Sequence, residues 1–166
     1  MMPKLRISAS DRGVIEIKLA GRGRSDRTQE AKGDTAAEHW RILAQRELRA
    51  YFAGELTAFS SLYDIRHLPR FTQCVLELTA KIPYGEVRSY EWVARKLRKP
   101  KAARAVGNAL GRNPVPIIIP CHRIVRSDGT MGGFALGSGW KKRLLAMEKS
   151  CVKTKASVRK SGNPRA

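Results

Sequence analysis

Acidic residues are scarce in this sequence. Fourteen Asp and Glu stand against 33 Lys and Arg, a formal charge of +19 over 166 residues. That imbalance says nothing about fold, but it concentrates polyanions around the chain. Nucleic acid is the first partner it points to, and an anionic membrane surface the second. Long apolar runs are also missing. No stretch approaches the roughly 20 residues needed to cross a bilayer, which excludes a membrane-spanning helix. The first ten residues carry bases without a following apolar stretch, so no secretory signal is expected. The three cysteines, Cys74, Cys121 and Cys151, are too few and too irregular for a disulfide framework, and a reducing, cytoplasmic compartment is expected. Together with His39, His67 and His122 they form no CxxC or HxxxH pair, so no metal site is expected. Neither a Walker loop nor a strand-linked GxGxxG is present, so no cofactor is implied. Gly137-Ser138-Gly139 lacks the frame of a hydrolase nucleophile elbow.

What is present organises into two segments and a tail. Residues 4–19 alternate apolar and polar on both sides of Ser10-Asp11-Arg12-Gly13, which predicts a β-hairpin. Residues 20–36, rich in Gly, Arg and Asp, predict a loop. Trp40, Leu43, Ala44, Leu48 and Tyr51 recur at helical spacing, predicting a helix over 37–52 that Ala53-Gly54 ends. A weak extended stretch covers 59–65. From Leu68-Pro69 a second segment opens, with a helix carrying Phe71, Val75 and Leu78 that stops before Pro83. Ser89 can cap the next helix, which carries Trp92, Val93 and Leu97. Pro100 separates it from a helix over 101–110 made largely of Ala and Gly, and the pair suggests a helix-turn-helix. The prolines of 113–120 exclude a helix there. A glycine-rich loop follows, then a last helix from Trp140 to about Glu148. The tail has six basic residues and no acidic one from Lys149 to Ala166, and disorder is expected there. The division is therefore 1–66, 67–149 and a tail over 150–166.

Charge and chemistry fall in the second segment. No Asp or Glu occurs from Trp92 through Ser127, while nine Lys or Arg do. A helix-turn-helix within an acid-free stretch is the footprint of a phosphate-backbone binder rather than of a merely solvated face. The alanines would let the helix backbone approach a groove closely, with Arg104 projecting from the smooth surface. Tight helix packing is the competing explanation for them. Cys121, between Pro120 and His122, is the one cysteine in a setting that suggests chemistry. A free thiol with a pKa of about 8.5 is only a few per cent thiolate at neutral pH and needs a base. His122 is an awkward direct base, because neighbours in an extended strand face opposite ways. Either the backbone turns sharply at 120–122 or a water relays the proton. The acceptor that would orient His122 is not identifiable from spacing. Cys74, on an apolar helix face, and Cys151, in the tail, are expected to be inert.

Three stretches carry a resemblance: Ile82-Pro83-Tyr84-Gly85-Glu86-Val87-Arg88-Ser89-Tyr90, Lys101-Ala102-Ala103-Arg104-Ala105-Val106-Gly107, and Asn113-Pro114-Val115-Pro116 through Pro120-Cys121-His122-Arg123. With the closing Leu144-Leu145-Ala146-Met147-Glu148, they closely resemble the O6-alkylguanine-DNA alkyltransferases, in order and at the family's spacing over about residues 40–149. The resemblance implies an α+β fold. A small N-terminal ribonuclease-H-like domain would precede a C-terminal helix-turn-helix domain of winged-helix type. It implies single-turnover transfer of an alkyl group from O6-alkylguanine in duplex DNA to Cys121, with O4-alkylthymine left open as a second substrate. It assigns His122 as a base acting through water, Glu148 as the group orienting it, Asn113 as a hinge, and Tyr90 as the proton donor to guanine. Arg104 would fill the stack left by the flipped base. Lys101, Ala102, Ala103, Ala105, Asn108 and Arg112 would face the minor groove. Ile124, Phe134, Ala135 and Leu136 would form the base pocket. The family usually has Tyr where Phe134 stands and often a small residue where Leu136 stands, so methyl should be handled better than bulky groups. The resemblance implies a monomer with no obligate protein partner. The competing function is a lesion-sensing DNA-binding protein that transfers nothing, against which Cys121 argues. A regulator driven by alkylation would need an extra zinc domain, and a thiol hydrolase would leave the charge unexplained.

Overall fold

The computed structural model describes residues 2–20 and 35–161, with side chains through residue 154. The expected loop over 20–36 falls almost wholly outside the described residues. Strands β1 (Leu5–Ser10) and β2 (Gly13–Leu19) pair antiparallel, with a register irregularity at Ser8/Ala9. Gly13 lies where a Cβ would come within 2.7 Å of the Leu62 backbone. Only glycine permits that approach, which lets Val14 hydrogen-bond to Leu62 and Asp64. Helix α1 (Ala36–Phe52) starts at Thr35, whose hydroxyl accepts from the Glu38 amide, and buries Ala44, Leu48 and Tyr51. The same face carries Glu47, whose carboxylate accepts from the backbone and hydroxyls of Ser60 and Ser61. A buried charge needs such partners, and these fix the extended stretch against α1.

Helix α2 (Arg70–Ala80) buries Val75 and Leu76 and ends before Pro83. Helices α3 (Tyr90–Lys96) and α4 (Ala103–Gly111) form the expected helix pair, and α4 packs against both α2 and α3. Ser89 caps α3 by accepting from the Trp92 amide. The turn between α3 and α4 passes through Arg98 at φ 56°, a left-handed residue that is not glycine. Two-residue strands β3 (Arg88–Ser89) and β4 (Ile124–Val125) pair parallel, tying the entrance of α3 to the segment after Cys121. Buried residues from both halves, among them Val14, Leu48, Val106 and Ile119, belong to one continuous core. The Ile17 amide also donates to the Pro114 carbonyl at 2.7 Å. The hairpin thus braces the segment that leads to the cysteine.

One expectation is corrected. The last helix, α5, runs from Ser138 to Ser161 and does not stop near Glu148. The expected disordered tail is therefore helical over 150–161, and residues 162–166 lie outside the described residues. No Gly or Pro occurs between Trp140 and Ser161 to end the helix. The added turns are also anchored. Cys151 packs on Gly54 just after α1, and Val152 lies over Gly85. A basic, apolar-poor sequence predicts disorder only when it has nothing to pack on.

Candidate active site

The segment Asn113–Arg123 is shaped by one side-chain amide. Asn113 is buried, and its Oδ1 accepts from the Val115 amide at 3.0 Å. Its Nδ2 donates to the Ile119 carbonyl and to the Cys121 Sγ, both at 3.0 Å. The amide thus holds both ends of the proline-rich loop and touches the thiol. Inside the loop, Ile117 is held at φ 79° while almost fully buried. A β-branched residue there is strained by about 1–3 kcal/mol and persists only under constraint from its surroundings. Pro120, at φ −81° and ψ 59°, makes an inverse γ-turn closed by the Cys121 amide to the Ile119 carbonyl at 2.8 Å. A single 3-10 turn over Cys121–Arg123 follows. The backbone therefore turns sharply at 120–122. The turn sends the thiol toward Asn113 and the imidazole toward α5.

His122 is fully buried, with Nε2 2.9 Å from a Glu148 carboxylate oxygen. Glu148, 1% exposed, accepts from four residues, His122 among them. The Tyr51 hydroxyl of α1 donates at 2.6 Å, the Gly85 amide at 2.9 Å, and Arg123 through Nη2 at 2.8 Å and Nε at 3.0 Å. The remaining Arg123 nitrogen donates to the Ile82 carbonyl at 2.6 Å. Burial alone would raise the Glu148 pKa, but the hydrogen bonds from His122 and Arg123 and the Arg123 charge outweigh it and hold the group at about 2. Burial pushes the His122 pKa down against the pull of Glu148, so the imidazole is neutral at neutral pH. Its Nδ1 is buried and has no partner among the described residues, leaving one ring nitrogen to take a proton directly or through a bridging water. Burial raises the Cys121 thiol to about 11, against the lowering effects of the Asn113 hydrogen bond and the Lys141 charge. The resting group is therefore a thiol that requires a base.

Of the other expected residues, Tyr90, Ala103, Arg104 and Asn108 line a groove of about 490 Å³ together with Gly107 and Gly132, whereas Lys101, Ala102, Ala105 and Arg112 do not. Arg104, Ala105, Asn108, Lys101 and Arg112 are exposed and Ala102 and Ala103 half-buried, while Val106, Ala109 and Leu110 anchor α4 in the core. Helix packing thus explains Ala109 but not Ala103 or Ala105. The Tyr90 ring lies along Gly107, and a Cβ on Gly132 would stand 2.1 Å from its hydroxyl. The four expected pocket residues do not line this groove. Ile124 is fully buried, Phe134 stands edge-on to His122 at 5.9 Å, Leu136 packs on the core and Ala135 is exposed.

Sequence reasoning missed three contributors. Tyr51 reads as one more member of the α1 apolar stripe. A fully buried tyrosine hydroxyl must find a partner, and that was the available signal. Arg123 reads as one of nine bases in an acid-free stretch, yet it is 5% exposed and paired, whereas the other eight are exposed. Lys141 reads as part of a basic triplet. It is completely buried, donates to the Ile124 carbonyl at 2.5 Å and reaches the Gly132 and Gly133 carbonyls at 3.4 Å. It thereby ties the glycine loop to the strand after the cysteine, and no local pattern distinguishes it from Lys142.

Comparison with known proteins agrees with this geometry. Residues 70–150 match the family model described as "6-O-methylguanine DNA methyltransferase, DNA binding domain". A methylated-DNA–protein-cysteine methyltransferase of Methanosarcina acetivorans is 45% identical over 111 residues, 65% of this chain and 69% of the relative. One of Mycobacterium bovis is 48% identical over 104 residues, 63% of this chain and 62% of the relative. The matches thus span about two thirds of the length of these relatives. The crystal structure of Mycobacterium tuberculosis OGT in complex with DNA superposes with a TM-score of 0.74 at 37% identity, covering 89% of this chain and 87% of that one. A buried thiol in a Pro-Cys-His-Arg turn, the Glu148–His122 pair behind it and these relatives converge on one assignment: the chain belongs to the methylated-DNA–protein-cysteine methyltransferase family.

Proposed function

We propose that this protein repairs DNA by transferring the alkyl group of O6-alkylguanine to its own Cys121, once per molecule. The observation that carries the reading is the Cys121 thiol held by Asn113 beside a buried, neutral imidazole backed by the Glu148 carboxylate. His122 Nδ1 takes the thiol proton through a bridging water, and Glu148 stabilises the imidazolium that forms. The Sγ electron pair then attacks the alkyl carbon, the S–C bond forms and the C–O6 bond breaks. The guanine leaves with a proton supplied by the Tyr90 hydroxyl. The product is a thioether, which has no carbonyl for water to attack, so the cysteine does not regenerate and no cofactor is needed.

The alkyl carbon is covered by base stacking, so the nucleotide must leave the duplex at a cost of a few kcal/mol. The α3–α4 pair would act as a winged-helix-type reader in the minor groove, its exposed small residues permitting close approach and Arg104 filling the vacated stack. The hairpin and α1 would represent a ribonuclease-H-like domain whose contribution to the site is Tyr51. The resting pKa of Cys121 fits this sequence of events: the thiolate forms on demand beside the base instead of standing ready for stray electrophiles.

The test is intact-protein mass spectrometry after mixing with a short duplex containing O6-methylguanine. A gain of one methyl group mapped to Cys121, absent in Cys121→Ala, is expected. Tight lesion binding without a mass gain would identify a sensor, and the absence of both mass gain and lesion binding would overturn the assignment of alkylated DNA as substrate.

A further inference from the structure

The helical extension of α5 is used by nothing above. The exposed side of α5, from its first turns into this extension, bears Lys142, Lys149 and Lys153. At 100° per residue these three fall within about 40° of one another on the helix surface, and at 1.5 Å per residue they span about 16 Å. None forms an ion pair among the described residues. The only acidic residue between Trp140 and Ala166 is Glu148, and its carboxylate is buried in the active-site network on another side of α5. The extension is also not free to move as a tail. Cys151 on Gly54 and Val152 on Gly85 dock it to the body of the protein.

We infer that this lysine stripe is a second DNA-backbone contact, distinct from α4, that receives phosphates of the duplex. A stripe of about 16 Å covers about five phosphate steps of one strand, at 3.4 Å of duplex axis per step. Because the helix is already docked, little ordering entropy opposes the contact. The inference rests on the reading of DNA as this protein's partner. It assigns this face of α5 to affinity, not to the chemistry of transfer.

The experiment measures binding of the full chain to undamaged duplex DNA as a function of salt. Each phosphate contact contributes about −0.9 to the slope of log K against log salt. The triple variant Lys142→Gln, Lys149→Gln, Lys153→Gln should therefore flatten the slope by roughly 2 to 3, with the thermal midpoint confirming that it folds. Arg104→Gln on α4 serves as the comparison, with a loss of about 1. A second readout needs no variant: lysine acylation of the wild-type protein, followed by mass mapping, with and without duplex. Protection at Lys142, Lys149 and Lys153 but not at Lys18 of the hairpin is expected. An unchanged slope in the triple variant, or unprotected α5 lysines, while the Arg104 variant loses its contact, would overturn the inference and leave DNA binding intact. Failure of the wild-type protein to bind duplex at all would overturn the underlying reading instead.

Discussion

Replacing Glu148 by glutamine should cost this protein much of its stability. The carboxylate sits at 1% exposure and receives the Tyr51 hydroxyl, the Gly85 amide, His122 and two Arg123 nitrogens. An amide of the same shape removes the charge, turns one acceptor into a donor aimed at other donors, and leaves the buried Arg123 guanidinium unpaired. Breaking a buried ion pair from one side costs about 3–5 kcal/mol. A second route gives a similar figure. The group is held near 2 instead of its ordinary 4.5, and at about 1.4 kcal/mol per pH unit this is on the order of 3 kcal/mol. Typical total stabilities are about 5–15 kcal/mol, so the variant should lose a large fraction. The sign of the pH dependence follows from the depressed pKa. The contribution is fully present above the ordinary carboxyl pKa and is lost as pH falls through the folded value near 2. Urea unfolding of DNA-free wild type and Glu148→Gln from neutral pH downward measures both quantities. The gap between the two proteins should be largest at neutral pH and close in acid as the wild-type carboxylate protonates. A gap below about 1 kcal/mol at neutral pH would mean that Arg123 is effectively solvated, and a gap unaffected by acid would mean that Glu148 does not carry the charge. Either result would refute the reasoning.

Three further outcomes can be checked. Arg98→Gly should stabilise the protein by about 1 kcal/mol, because an exposed left-handed residue is relieved of its Cβ strain; a lower thermal midpoint would contradict this. Gly132→Ala places a methyl 2.1 Å from the Tyr90 hydroxyl, so it should displace that ring and slow alkyl transfer while DNA affinity changes little, as measured by single-turnover kinetics beside a binding titration. Iodoacetamide labelling mapped by mass spectrometry should find Cys121 less reactive at neutral pH than the half-buried Cys74, because burial holds its thiol near 11 and nearly closes it to solvent. Faster labelling of Cys121 would show a thiolate already formed at rest.

Local periodicity and punctuation determined the element order. Thr35, Ser89 and Pro83 act within one turn of themselves, and the hairpin, α1, α2 and the α3–α4 pair lie close to where such signals place them. The proposed nucleophile was legible for a similar reason: a cysteine between proline and histidine is a local motif. Glu148 entered through resemblance, since nothing in its spacing marks it as a partner of His122, 26 residues away.

Tertiary structure decided the rest. Whether Arg123 faces DNA or the core depends on which carboxylate comes to meet it from α5. Whether Lys141 differs from Lys142 depends on which side of one helix packs over the Ile124, Gly132 and Gly133 carbonyls. Tyr51 became part of the site because α1 delivers its hydroxyl to Glu148, 97 residues distant. The C-terminal turns became helix because Gly54 and Gly85 leave room for Cys151 and Val152. Composition and spacing report what a residue can do within a few neighbours. Burial of a charge is settled only when the chain supplies a distant partner that offsets its desolvation.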